Sequence, residues 1–206
     1  MQIAVTASDG QWEELTGCSG NIEWIRVVDD TGFIQHTTAV AFFNLSNSTI
    51  YPVYASFAKP VFINAVTTTL KEINAPANVL RINGWPGFLQ RAAWEIAGEV
   101  DDKASAVLKQ LNKAIMPVAD EPGLVSARII AMIINEAWFA VGDEVSSKAE
   151  IDTAMKLGTN YPFGPFEWAT AIGAGNILEL LSKLTVTDKR YQPAPLLVKE
   201  ATENNS

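Results

Sequence analysis

The C-terminal third of the chain reads P-G-L-V-S-A-R-I-I (122–130), N-E-A (135–137), I-D-T-A-M-K-L-G-T-N-Y-P-F-G-P-F-E-W (151–168), I-G (172–173) and R-Y-Q-P-A-P-L-L (190–197). All of it is helix text. Asp120 stands where an N-cap would, and Pro122 falls in the first turn, where a missing N–H costs little. Residues 124–141 are apolar on nearly every side, the pattern of a helix buried on more than one face, in a domain centre or at a subunit interface. Ser147 and Glu150 have capping-box spacing, opening a helix that Gly158 closes. Gly164-Pro165 opens another, and residues 173–175 divide it from a helix over 176–184. Residues 191–195 read as an extended lead-in to a last short helix, and 201–206 as a polar end that frays.

Upstream the period changes. Residues 3–6, 23–28 and 38–43 are short β-rich runs, and 9–15 reads as a short helix between the first two. Residues 51–55 and 60–66 read as further strands. Strand–helix–strand alternation of this kind favours a mostly parallel α/β sheet. Beyond Arg91 the pattern turns helical, with Asp101-Asp102 capping a helix that runs to Leu111. The expected division is an α/β part over 1–118 followed by an all-helical part over 119–206.

Composition narrows the function classes. A formal charge of −8 opposes nucleic-acid binding over a broad surface, although a nucleotide cofactor needs only a few local donors. No apolar run approaches the roughly 20 residues that span a bilayer, so no membrane partner is expected. The opening M-Q-I-A-V has neither a basic region nor a long apolar one, and a cytoplasmic location is the expectation. Cys18 is the only cysteine, which leaves no internal disulfide and no multi-cysteine metal site; no metal is expected. His36 is the only histidine, so imidazole chemistry is confined to one position, which reads as a loop or strand-edge residue.

The ordered motifs of the C-terminal third resemble the C-terminal domain of the 3-hydroxyacyl-CoA dehydrogenases, NAD-dependent enzymes of fatty-acid β-oxidation. The resemblance covers about eighty residues, from P-G-L-V-S-A-R onward. It implies a reduced Rossmann-like parallel-sheet domain followed by a helical dimerisation domain like the 6-phosphogluconate dehydrogenase C-terminal domain. It further implies NAD as cofactor, an acyl-CoA ligand and a homodimer formed through the helical part.

Carried onto this chain residue by residue, the family's site is incomplete. The family's first strand enters a G-x-G-x-x-G turn, where backbone N–H groups approach a pyrophosphate. Here the turn is Thr6-Ala7-Ser8-Asp9-Gly10-Gln11, with one glycine and a carboxylate that repels a diphosphate; Asp9 reads as the helix cap. Asp29, after the second strand, falls where an acidic residue would hold the adenosine ribose. The family's H-F-F-N-P motif, whose histidine takes the hydroxyl proton, corresponds to Arg81-Ile82-Asn83-Gly84-Trp85-Pro86, so the base falls on Asn83 or Gly84. Trp94-Glu95-Ile96 matches the segment whose glutamate orients that imidazole; Glu95 could act as the catalytic base itself, or equally pair with Arg81 or Arg91. Asn64 or Thr67 stands for the family's serine. Ala127 takes the place of its asparagine, and the neighbouring Arg128 is kept as a substrate-side residue. The resemblance therefore implies a dehydrogenase-like protein of fatty-acid metabolism, while the residues predict impaired or absent NAD-dependent activity. The alternatives are a non-catalytic acyl-CoA binder and a dimeric assembly module.

Overall fold

Among the described residues, seven short strands form one sheet: β1 (Gln2–Thr6), β2 (Glu23–Arg26), β3 (Ala41–Asn44), β4 (Val61–Ile63), β5 (Val79–Ile82), β6 (Ala93–Ala97) and β7 (Ala114–Pro117). Their order is β2-β1-β3-β4-β5-β6-β7, parallel at every pair except β5 with β6. The computed structural model describes residues 1–17, 21–46 and 52–203. Cys18, Tyr51 and the terminal 204–206 thus lie outside the described residues. Two compact units emerge, Met1–Leu124 and Val125–Ser206. The division falls beyond Val118 because the segment after β7 is bonded back into the first unit: Asp120 and Glu121 reach Arg81, and the Gly123 N–H donates to Val66 O.

The central strands read as unbroken apolar runs because both sheet faces are covered. Successive side chains alternate between two clusters. Ile3, Val5, Phe43 and Phe62 pack on one face with helices α1 (Asp9–Thr16) and α2 (Asp102–Gln110). Ala4, Phe42, Val61 and Ile63 face the other way. Among the described residues that second face is covered by 3-10 turns, Asp30–Gln35 and Pro52–Ser56, in place of α-helices. Aromatic rings fill the space a helix would occupy: Phe33 and Phe57 lie 5.0 and 4.7 Å from Phe42. This is the reduction of the Rossmann-like sheet in physical terms.

Several local expectations need correction. The strand expected over 51–55 is the 3-10 turn Pro52–Ser56, its proline at the turn's first position. The segment after Arg91 is not simply helical: β6 and β7 flank α2, and β5 lies upstream of them. Their runs are too short and too mixed to carry a period. Asp101 does cap α2, accepting from the Ala104 N–H at 2.7 Å.

The second unit is all helix: α3 (Ser126–Gly142), α4 (Lys148–Thr159), α5 (Pro165–Ile172), α6 (Ala174–Thr185) and α7 (Pro195–Glu203). Asp120 does not cap α3, whose N-cap is Val125 without a side-chain bond; the Asp120 carboxylate is held by the Leu70 and Lys71 N–H groups and by Arg81. The Ser147–Glu150 capping box is present, and α4 runs one residue past Gly158 to Thr159, with Asn160 in the left-handed region as its C-cap. Bonds from Ser147 and Ser146 hold the Glu150 carboxyl below its ordinary value. Ala201–Glu203 forms the last turn of α7.

The Y-P-F-G-P-F-E-W motif is the joint between α4 and α5. Glu167 accepts from the Gly164 N–H at 2.9 Å and pairs with Lys156, which together hold its carboxyl below the ordinary range. Asp152 accepts from the Phe166 N–H at 2.8 Å. A Cβ on Gly164 would lie 2.3–2.4 Å from Asp152 side-chain atoms, so only glycine fits there. Buried Asn135 donates to Gln192 O at 2.9 Å and accepts from Ala194 N–H at 2.8 Å, pinning the lead-in to α7. Asn135→Leu is expected to lower stability by about 1–3 kcal/mol, because two backbone groups lose their partners. A urea titration followed by circular dichroism reads the shift, and an unchanged midpoint would show that the lead-in needs no pin.

Candidate functional site

The carboxyl ends of β1, β3, β4 and β5 meet at one edge of the sheet. From β1 the chain turns outward to β2 and then returns to β3 on the other side, so the strand order reverses between β1 and β3. In open α/β sheets that reversal opens the ligand crevice. Here the residues of the crevice bond to one another.

The turn after β1 is closed by a capping box. Ser8, not Asp9, is the N-cap: its Oγ accepts from the Gln11 N–H at 3.3 Å, and Gln11 Oε1 accepts from the Ser8 N–H at 3.1 Å. The same Gln11 side chain donates from Nε2 to Leu45 O at 2.9 Å and to Gly84 O at 3.0 Å. One glutamine thus ties α1 to the ends of β3 and β5. Asp9 is exposed and paired with Arg26 at 2.7 Å; Arg26 also donates to Ala7 O at 3.0 Å.

Asn64, at the end of β4, extends this lattice. Its Oδ1 accepts from the Gly84 N–H at 3.0 Å and its Nδ2 donates to Leu45 O at 3.1 Å. A Cβ on Gly84 would sit 2.8 Å from Asn64 Cγ. Of the two positions that could carry a base, Gly84 therefore has no room for a side chain. Gly84→Ala should push Asn64 off its partners and cost about 1–3 kcal/mol. A thermal melt reads the loss, and a variant as stable as the parent would mean that the edge has slack.

Asn83 is buried and its Oδ1 accepts from the Trp85 N–H at 3.1 Å, closing a local turn. The antiparallel register pairs Ile82 with Ile96, and continued by one residue it sets Asn83 opposite Glu95. Glu95 is half-buried, on the strand position between core residues Trp94 and Ile96. Of its two expected partners, Arg81 is committed to Asp120, and the Arg91 guanidinium lies 4.1 Å from the Phe88 ring centroid. Asn64 is thus tied to the end of β5 through Gly84, and the extended register sets Asn83 opposite Glu95.

Asp29 and Arg128 lie on other elements. Asp29 caps the 3-10 turn Asp30–Gln35, accepting from the Thr31 hydroxyl and N–H, and these bonds lower its pKa. Arg128 belongs to the second unit, on the first turn of α3, its guanidinium 5.9 Å from the Tyr191 ring centroid. His36 ends the Asp30–Gln35 turn.

Three features escape a reading by motif. Gln11 was legible only as the last letter of S-x-x-Q. Arg81, fully buried, donates to Ala65 O at 2.8 Å, Val66 O at 3.1 Å, Glu121 O at 3.3 Å and the Asp120 carboxylate. Asp30 is buried with Asn44 and Tyr54, both donating to its Oδ2; burial is the largest influence and raises its pKa. No local sequence pattern signals such long-range pairs.

Comparison with known proteins finds its sequence matches in and around the second unit. Residues 123–205 match the family model "3-hydroxyacyl-CoA dehydrogenase, C-terminal domain". The 3-hydroxyadipyl-CoA dehydrogenase of Escherichia coli (strain K12) is 45% identical over 101 residues, which are 48% of this chain and 21% of that protein. The 3-hydroxybutyryl-CoA dehydrogenase of Clostridioides difficile is 37% identical over 116 residues, 53% of this chain and 41% of that protein. The chain therefore spans less than half the length of these relatives. Among solved structures, (S)-3-hydroxybutyryl-CoA dehydrogenase from Ralstonia eutropha aligns over 98% of this chain and 94% of its own, with a TM-score of 0.69 at 19% identity. That likeness extends through both units and concerns the fold.

Proposed function

We propose that this chain, whose residues 123–205 match the C-terminal domain of the 3-hydroxyacyl-CoA dehydrogenases, is a dehydrogenase-like protein of fatty-acid metabolism that binds an acyl-CoA without NAD-dependent turnover. The observation that carries the reading is the bonded edge of the first unit. A dinucleotide diphosphate needs close approach to free N–H groups at the start of α1. There the Ser8–Gln11 box engages its own donors, Gln11 bridges to Leu45 and Gly84, and the Asp9 carboxylate stands in front. These residues do not fit the group.

The base is missing for an independent reason. Removing a proton from a 3-hydroxyl near neutrality calls for a group with a pKa close to 7. Asn83 cannot supply one, and position 84 has no room for imidazole. Glu95 has no imidazole to orient. What the reading retains is acyl-CoA binding, with Arg128 as the substrate-side cation. The test is a calorimetric titration of the purified chain with acetoacetyl-CoA in the absence of nucleotide. A saturable heat is expected; none at millimolar ligand would remove the binding half of the reading.

One observation favours the assembly reading beside it. No residue of α4 is buried, and its Leu157 is 84% exposed, so a twelve-residue helix awaits a cover. A homodimer through the helical unit would supply one. Leu157→Asp should then lower the mass seen by analytical ultracentrifugation from dimer to monomer; a monomeric parent would contradict this second reading.

A further inference from the structure

At the opposite edge of the sheet, where β1, β3 and β4 begin, the first unit carries a groove of about 540 Å³, within the roughly 300–1,000 Å³ span of small-molecule sites. Its floor is apolar: Val40 just before β3, Val107 and Ala106 on α2, and the Met1 side chain before β1. Val40 and Met1 are among the chain's exposed large hydrophobic residues, at 39% and 38%. The rim is basic: Lys59, Lys103 and Lys109 line the groove, and no Asp or Glu does. In a chain with 23 acidic and 15 basic side chains, three lysines around one apolar floor reverse the prevailing sign.

Two of the three ammonium groups are fixed in place. Lys103 donates to Ala58 O at 2.7 Å, and Lys59 donates to Thr37 O. Each ammonium carries three donors, so each keeps two for a ligand. Lys109 is on the last turn of α2, and its ammonium group has no bonding partner among the described residues. A fixed cationic rim over apolar surface matches a molecule with one negative end and a hydrocarbon body. A longer uncharged ligand would leave the rim unused, and a compact anion would leave the floor wet.

We propose that this groove binds a free medium-chain carboxylate, its carboxylate at the Lys59–Lys103–Lys109 rim and its chain along Val40, Ala106 and Val107. The groove lies at the amino ends of the strands, separate from the edge that holds Asn64, Asn83 and Glu95, so the inference stands independently of the proposed function.

Calorimetric titration of the full chain with octanoate tests it, with octylammonium and octanol as matched probes. Octanoate should bind with one-to-one stoichiometry, at least tenfold more tightly than either. Ala106→Trp fills the groove from an exposed helix position and should abolish the heat. The Lys103→Gln, Lys109→Gln double variant should weaken octanoate at least tenfold while leaving octanol unchanged. Thermal melts check that both variants keep the parent's fold. Failure of octanoate to bind the parent, equal binding of octylammonium, or undiminished binding to a folded Ala106→Trp variant would each overturn the proposal.

Discussion

Arg81→Met is expected to destabilise the first unit by about 3–5 kcal/mol, a large fraction of the 5–15 kcal/mol that holds a typical domain together. The loss has three parts. The Asp120 carboxylate is left without its counter-charge, only 28% exposed to water. The Ala65 and Val66 carbonyls lose a donor, as does that of Glu121. The connection 120–123 is also released from β5. Arg81→Lys should recover little, because one ammonium cannot reproduce the planar fork that spans these acceptors. The pair also sets a pH dependence. Burial pushes the Asp120 pKa up, but bonds from Leu70, Arg81 and Lys71 outweigh it and the net shift is downward. A carboxyl whose folded pKa is depressed contributes stability above its unfolded pKa and loses it as pH falls through the folded one. The parent should therefore weaken with acid below the ordinary carboxylate value, and Arg81→Met should show a shallower slope there. Asp30 acts in the opposite sense, its raised pKa costing stability as pH rises. Urea midpoints at several pH values for the parent and both variants give the answer; equal midpoints would show that the buried clamp is dispensable.

Trp168→Ala should cost the helical unit about 3–5 kcal/mol. The indole is 1% exposed and packs against Tyr161 and Phe163, with ring centroids 5.6 and 5.8 Å away. It is the anchor of the α4–α5 joint. Its Nε1 has no hydrogen-bond partner among the described residues, so the side chain is held by packing alone. Trp168→Phe should consequently cost much less than the alanine variant, since it keeps a ring and removes the unpaired N–H. Far-UV circular dichroism against urea separates the two. A phenylalanine variant as damaged as the alanine one would point to a bond made by Nε1.

How much of this could be read from sequence differs between the units. The helical unit was legible because its signals are local: Ser147 with Glu150, Gly164-Pro165 before Glu167, and a long apolar period over α3 each act within a few residues. Asp120 misled because a cap and a buried ion-pair partner look alike in sequence; only the fold places it beside Arg81, 39 positions away along the chain. β5, β6 and β7 escaped for a similar reason, as strands of four or five residues take their identity from neighbours in the sheet. At the candidate site, the resemblance picked out Asn64, Asn83 and Glu95, which stand just after β4, just after β5 and within β6. The role of Gln11 and the lack of space at Gly84 depend on contacts between strand ends that no motif spells out.

The most direct test of the central claim is the melting temperature of the purified chain with saturating NADH, with acetoacetyl-CoA alongside. Ligand at a hundred times its dissociation constant stabilises a folded state by about 2.7 kcal/mol, a shift of several degrees for a domain of this size. The account predicts a rise with acetoacetyl-CoA and none with NADH. A rise with NADH would contradict it, because the Ser8–Gln11 box and the Asp9 carboxylate would then have to yield to a dinucleotide.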